Sequence, residues 1–537
     1  MIRGECRMTG QLLLRNANVI TMDVPFRAEA LLVEDGRICA VGRLDEVQAA
    51  ARPDARRADL GGRTVLPAFL DPHSHALAYA VSLLQISLAG CATPEEVCAR
   101  LREAVRRRPP RAGEWVQAAG YDHNRFPDRR HPARELLDAA VPDFPLVIQH
   151  QSGHAGVLNT RALKALGLGP ETPDPEGGSY GRGADGRLTG YLEENAFLAA
   201  LGRIPLPGPE ALCAAAEEAQ TVYASHGIAT AQEGMMTAAL ADYYAALVER
   251  GALRLDVVGY AAPAQLPLFQ SRLPRCCGQY SGRFRLGGVK LVLDGSPQAR
   301  TAWLNEPYEG DTARGYPALT DEAVISALRA ATCVGLQTLA HCNGDAACDQ
   351  FIRCCAVVER ELPALRQLRP VMIHAQLLRR DRMGEMARLG IIPSFFAAHI
   401  YHWGEDHIAN LGRARAERIS PLGSAARAGL PFTLHQDTPV LPPDMLETVW
   451  CAAVRRTRAG TNLAPEERVS VYEALRAVTA HAACQYGEER EKGTLSPGKR
   501  ADLVVLDGDP LTMPAEELRA LRILATLKEG EVLYRAQ

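Results

Sequence analysis

The stretch RTVLPAFLDPHSHALAYA, residues 63–80, sets two histidines one residue apart, directly after an aspartate and at the end of an apolar run. RTVLPAFL reads as a buried strand with a bend at Pro67. Residues i and i+2 of an extended chain share a face, so His73 and His75 can both reach one ion. The pair therefore reads as half of a metal clamp at a strand end.

The segments before this stretch, LLLRNANVITMD (12–23) and AEALLVEDGRICAVGR (28–43), alternate short β-rich runs with turns, and EDGR is a hairpin signal. The far C-terminus repeats the style in GTLSPGKRADLVVLDGDP (493–510) and ILATLKEGEVLYRA (523–536). Residues 1–65 and 491–537 are thus expected to build one small β-sandwich domain from distant pieces.

Between them the pattern becomes strand, loop, helix. Strand candidates after the first are WVQAAGYD, PLVIQHQ, GIATAQEG, LDVVGYA, RLGGVKLVLDG, LQTLAHC, PVMIHAQ, GIIPSFF and LPFTLHQD. Amphipathic helices such as PEEVCARLREAVRRR, DEAVISALRAATCVG and MLETVWCAAVRRT separate them. This alternation predicts an α/β fold, a (β/α)8 TIM-like barrel over residues 66–490. More than eight candidates are present, which places an insertion at about 115–205, a stretch rich in Pro and Gly. Inside it, GRGADG fits a nucleotide-loop pattern but follows a loop and opens no helix, so it reads as a turn.

Composition narrows the function classes. The chain has 537 residues, 47% hydrophobic and 23% charged, with a net charge of -3. Nothing in that balance argues for nucleic acid or a membrane surface as partner. The N-terminus lacks the apolar core of a signal peptide, and ALAYAVSLLQISLAG is shorter than the roughly 20 residues a spanning helix needs. The 14 cysteines are scattered without a C-x-x-C pair and read as reduced thiols of a cytoplasmic protein.

Several strand candidates end in residues that bind metals: His73 and His75, His341, His374 and Asp437. A single histidine at a strand end is commonly a hydrogen-bonded rim residue. Five such residues ending four strands, on the face where barrel active sites lie, point to one metal site. His131, His226 and His481 fall outside this pattern and read as structural. Lys290, inside GGVKLVLDG, is a buried amine that needs a depressed pKa or a partner. It is read either as a carbamate bridging two cations or as a salt bridge to Asp294 or another carboxylate; spacing favours the salt bridge.

LPAFLDPHSHA, GGVKLVLDGSPQARTAWL, AHCNGDAA, IHAQ, IPSFFAAHIYHWGED and LHQDTPV, in this order, resemble the amidohydrolase superfamily. The likeness is to its third family, which contains N-substituted formamide deformylases and YtcJ-like hydrolases. Ala68 departs from the glycine usual in that family. The resemblance implies His73, His75 and Asp437 on one metal, and His341 and His374 on a second, with Lys290 as a carbamate between them. It implies one or two divalent ions per chain; imidazole and carboxylate ligands suit zinc best, with iron, manganese or nickel as substitutes.

The expected function is metal-dependent hydrolysis of a non-peptide C–N bond in a small amide or formamide. Asp437 is the expected proton shuttle, and His154 the donor to the oxyanion and a substrate contact. Asp294, His399, His402 and Trp403 are expected to line the substrate pocket, the last three on a loop. Alternatives are a heterocycle deaminase, a cyclic-amide hydrolase and an inactive binding relative; the complete ligand set argues against the last. A homodimer is compatible with the resemblance.

Overall fold

The computed structural model describes residues 10–111, 113–153, 155–175, 178–205 and 208–537. The expected oxyanion donor His154 lies outside the described residues. The chain divides into two compact units, residues 1–77 with 217–537, and residues 78–216.

In the first unit eight strands form one all-parallel sheet in sequential order. They are β1 (Phe69–Leu70), β2 (Ile228–Met236), β3 (Asp256–Ala261), β4 (Phe284–Val292), β5 (Gln337–Cys342), β6 (Val371–His374), β7 (Ile392–Phe395) and β8 (Thr433–Leu434). Helices such as Asp321–Cys333, Asp345–Glu361 and Met383–Leu389 connect successive strands, the arrangement of a (β/α)8 barrel. Leu70, Val258, Tyr260, Leu339, Val371 and Ile373 meet in one buried cluster with Tyr486. The helix Asp345–Glu361 buries Phe351, Ile352 and Val358 among other apolar residues, following the 3.6-residue period of its sequence.

The opening stretch is not one strand. Thr64–Pro67 pairs with Leu503–Leu506 in a separate sheet, and only Phe69–Leu70 enters the barrel, beside β2. Ala68 donates its N–H to Asp502, whereas the next residue, Phe69, donates to Gly227, so the chain changes sheets there. Two further sheets, of four and six strands, are assembled from the N-terminal segment and the C-terminal tail. They share an apolar cluster that includes Leu12, Val19, Val33, Val65, Leu503 and Leu527. The EDGR hairpin is present, with Asp35 and Gly36 both at positive φ, as a two-residue turn of this hand requires.

The second unit carries its own six-stranded sheet. Its members include Ile86–Ser87, Val116–Tyr121 and Leu146–His150 in parallel, followed by antiparallel Ala155–Leu158, Leu188–Glu194 and Gly178–Arg182. WVQAAGYD and PLVIQHQ supply two of these strands rather than barrel strands. GRGADG is the turn between Gly178–Arg182 and Leu188–Glu194.

Candidate metal centre

The carboxyl ends of the barrel strands gather the imidazoles around one carboxylate. Asp437 Oδ1 lies 3.3 Å from His73 Nε2 and 3.5 Å from His75 Nε2, while Oδ2 lies 3.8 Å from His374 Nε2. His73, His374 and Asp437 each offer a ligand atom within 4.8 Å of the others. This set draws one histidine from each of the two groups the sequence reading keeps apart. Asp437 Oδ1 is buried and has no hydrogen-bond partner, an expensive condition for a carboxylate oxygen unless a cation meets it. The donor set, imidazole nitrogens plus carboxylate, fits a divalent transition ion.

The surrounding protein fixes which nitrogen faces the centre. Gln232 Nε2 donates to the Pro72 carbonyl and the Tyr486 hydroxyl, so its Oε1 is an acceptor. That oxygen sits 2.7 Å from His73 Nδ1, which must carry the proton and leave Nε2 with a free lone pair. Gly234 matters here: a Cβ on it would lie 2.6 Å from His73 Cε1. His75 Nδ1 lies 3.7 Å from Glu233, a carboxylate itself held by the Leu77 N–H and the Tyr244 hydroxyl.

His374 defeats the simple alternation of its strand. Val371 and Ile373 face the barrel interior, so a regular strand would turn His374 outward. Its φ of 70° reverses that, and Asp437 is also left-handed at 54°. Non-glycine residues held there cost roughly 1–3 kcal/mol each, which marks a site where geometry outranks stability. His374 Nδ1 is 3.2 Å from His435 Nε2, and His435 Nδ1 is 2.8 Å from Ser394 Oγ. The chain His374–His435–Ser394 orients the ligand through its remote nitrogen. His435, Gln232 and Glu233 are absent from the sequence reading; the signal available was a polar pair closing the otherwise apolar GIATAQEG.

Lys290 lies on the face of β4 that registers with Leu339, two residues before His341 on β5. Its Nζ is 3.0 Å from His73 Nε2. Burial pushes its pKa down to about 8, outweighing the opposing pull of Asp437. The expected salt bridge to Asp294 does not form, because both oxygens of that carboxylate are taken. Oδ1 accepts from the Asn343 N–H and faces His341 Nδ1 at 3.2 Å, and Oδ2 accepts from the Gly344 and Trp303 N–H groups. Asp294 thus orients His341 from beneath, where the sequence reading expects a substrate contact.

Charges around Asp437 shift one another. Burial works against the His75 cation, but Asp437 and Glu233 outweigh it and raise the group to about 9. Burial and the neighbouring Lys290 hold His73 well below the usual range, and burial with His341 does the same to His374. Both therefore stay neutral, the form that binds metal.

His399, His402 and Trp403 stand on the helix His399–Leu411, not on a loop, and the helix breaks at Trp403. His399 is buried against Phe396 and Trp403, with its Nδ1 3.1 Å from His407. His402 reaches Arg458 at 3.1 Å and Glu447 at 3.6 Å.

Comparison with known proteins gives the family of the chain. A model of the amidohydrolase family matches residues 57–534. The chain is 30% identical to the N-substituted formamide deformylase of Arthrobacter pascens, over 97% of this chain and 98% of that one. It is 27% identical to the YtcJ protein of Bacillus subtilis (strain 168), over 95% and 96% of the two chains. The crystal structure of an uncharacterized metal-dependent hydrolase from Pyrococcus furiosus superposes with a TM-score of 0.77 at 26% identity, covering 94% of this chain and all of that one. The family model over residues 57–534, with a relative 30% identical over nearly the whole chain, places the chain in the amidohydrolase family.

Proposed function

We propose that the protein hydrolyses a non-peptide C–N bond, of amide or formamide type, in a small molecule, with one or two zinc ions held at the carboxyl ends of the barrel strands. The observation that carries this reading is the unpartnered Asp437 Oδ1 at the meeting point of His73 and His75. The likeness to a formamide deformylase over nearly the whole chain supports the substrate class.

His73, His75, His374 and Asp437 would hold one ion. His341 and Lys290 would complete a second position, with Lys290 as a carbamate formed from its neutral amine and carbon dioxide with release of a proton. A bound divalent ion supplies Lewis acidity toward a carbonyl oxygen and brings the pKa of a coordinated water toward about 7. Asp437 then accepts the proton of the attacking water and passes it to the departing amine, a carboxylate oxygen that no protein donor occupies. Gln232, Glu233, Asp294 and His435 keep the imidazoles in the ligating tautomer. His399, His402 and Trp403 shape the apolar side of the pocket beside Phe396. Segments 1–65 and 491–537 we read as the small β-sandwich domain that flanks the barrel.

Zinc analysis of protein purified without chelator, followed by a screen of N-substituted formamides, amides, ureas and cyclic imides, tests the reading. The expected outcome is one to two ions per chain at this centre and turnover that chelation abolishes. Full activity after complete metal removal contradicts it.

A further inference from the structure

The second unit repeats, on a smaller scale, the device of placing ligand residues at parallel strand ends. Its strands Val116–Tyr121 and Leu146–His150 run side by side, with Tyr121 in register with His150. The register slips between Ala119 and Tyr121, and Gly120 sits at a φ of 89°. That bulge re-aims the chain, so Asp122 and His123 arrive beside the last residue of the neighbouring strand, His150. Ligands of open parallel sheets bind outside such carboxyl ends.

His123 Nδ1 lies 3.1 Å from His150 Nε2, and Asp122 Oδ1 lies 3.7 Å from the same nitrogen. The three ligand atoms all fall within 4.8 Å of one another. Around a tetrahedral zinc ion with bonds near 2.0–2.1 Å, adjacent donors stand about 3.3–3.4 Å apart. The spacing here brackets that value. Each member is also braced. Asp122 caps the turn His123–Arg125 by accepting the Asn124 N–H at 3.0 Å. His131 stacks on His123 at 4.0 Å, with its own Nδ1 held 2.8 Å from the Tyr121 hydroxyl. His150 is 8% exposed, which excludes the bulk water that would otherwise compete for its ring.

We infer that Asp122, His123 and His150 form a further divalent-metal site, built within the second unit and independent of the barrel ligands. The remote nitrogen of His150 shows how the site switches into the ligating form. Ser152 flanks Nδ1 with its amide N–H at 3.1 Å and its Oγ at 2.9 Å. Without an ion, the amide donates to Nδ1 and the ring proton sits on Nε2, directed at His123. When an ion binds Nε2, the same proton moves to Nδ1 and is donated to Ser152 Oγ. No net charge changes on the ring, and the serine serves both tautomers.

The test uses the metal-stripped full-length chain, titrated with cobalt(II) and then zinc(II) against a competing chelator. Parent protein should bind one ion per chain more than His123→Ala, in which all barrel ligands remain. Ser152→Ala should weaken that additional ion by about 10–100-fold, the usual consequence of disturbing a ligand's support, and Asp122→Asn, which replaces a charged ligand oxygen, by at least as much. His150 tautomer, read from ring nitrogen shifts, should pass from the Nε2–H to the Nδ1–H form on saturation. His150→Ala is nearly buried and can fail to fold, so the partly exposed His123 carries the decision. Equal ion counts and equal affinities for parent and His123→Ala overturn the site. So does a His150 ring that keeps its Nε2 proton at saturation; the two histidines are then a hydrogen-bonded pair only.

Discussion

The two ends of the barrel both bury charge, and they treat it in opposite ways. At the amino ends of the strands, Asp256 opens β3 with each oxygen met by cations. Oδ2 lies 2.6 Å from Lys492 and 2.8 Å from Lys528, and Oδ1 lies 3.3 Å from Arg283. Lys528 also pairs with Asp502, and Arg500 with Glu529. At the carboxyl ends, Asp437 meets imidazoles only at ion-pair distances, and its Oδ1 makes no hydrogen bond. Desolvated charge is costly in either place. One end offsets the cost with the protein's own countercharges. The other sets only the His75 imidazolium beside its carboxylate, a charge that a bound cation would displace. The difference separates a structural cluster from a chemical one where burial alone does not.

The contrast breaks down if substitutions at the two ends behave alike. Asp437→Asn should carry the largest effect. Its amide can still offer one oxygen but accepts protons poorly, so single-turnover rates on amide substrates should fall about 10²–10⁴-fold while the fold persists. Near-normal turnover with full metal content would remove Asp437 as the proton shuttle.

Asp256→Asn should do the reverse. It removes the shared carboxylate from two buried lysines, leaving Lys492 with Glu488 and Lys528 with Asp502, and the loss should reach at most the about 3–5 kcal/mol of breaking a buried ion pair. Denaturant unfolding should report that loss, while metal content per folded chain stays at the parent value. Metal loss without destabilisation would contradict the structural role.

Gln232→Leu sharpens the comparison from the second layer. It leaves the buried His73 Nδ1 without its acceptor, so zinc affinity should fall about 10–100-fold, with about 1–3 kcal/mol of unfolding free energy lost for the unsatisfied group. Competition with a chelator measures the affinity directly.

The pH response is the smallest effect and differs in sign between the ends. In metal-free protein, His75 is raised from 6.5 to about 9 by Asp437 and Glu233 against burial. Its contribution is fully present below pH 6.5 and is lost as pH climbs through 9. Lys290, lowered by burial from 10.5 to about 8, imposes a cost that is complete below 8 and fades toward 10.5. Metal-free protein should therefore lose thermal stability between pH 6.5 and 8, through His75 and, up to about 7, through Asp71, whose carboxyl burial raises to that value. Burial raises the Asp256 carboxyl, but Lys492 and Lys528 outweigh it and hold it far below the usual range. Its contribution is present above pH 3.8 and disappears in acid, in every metal state. Melting curves with and without zinc separate the two, because zinc replaces the His75 proton and should flatten only the alkaline limb.

Much of this division was legible in the chain. Ten apolar runs are visible as strands; eight of them form the parallel sheet, and the residues at the ends of four of these, with Lys290 inside a fifth, carry the cluster. Strand ends announce themselves because an apolar run stops at a histidine or aspartate. What stayed hidden has physical reasons. RTVLPAFL serves two sheets, since unbroken apolar residues do not say where a chain changes partners. His435 looked like the interior of LPFTLHQD because the strand is only Thr433–Leu434. The HIYHWGED segment lacks an N-cap residue, so its helix was read as a loop. Inward-facing His374 depends on a left-handed backbone that its sequence does not advertise. Adjacent Asp122 and His123 are joined to His150, 27 residues beyond His123, only by the register of two strands.

The most direct test of the central claim is elemental analysis of three folded proteins purified in parallel without chelator: parent, His73→Ala with Asp437→Ala, and Asp256→Asn. The account predicts that the first variant carries at least one ion per chain fewer than the parent, while Asp256→Asn matches the parent despite its lower stability. Equal metal content in the parent and the His73→Ala, Asp437→Ala protein would contradict it, because the unpartnered carboxylate would then have no ion to meet.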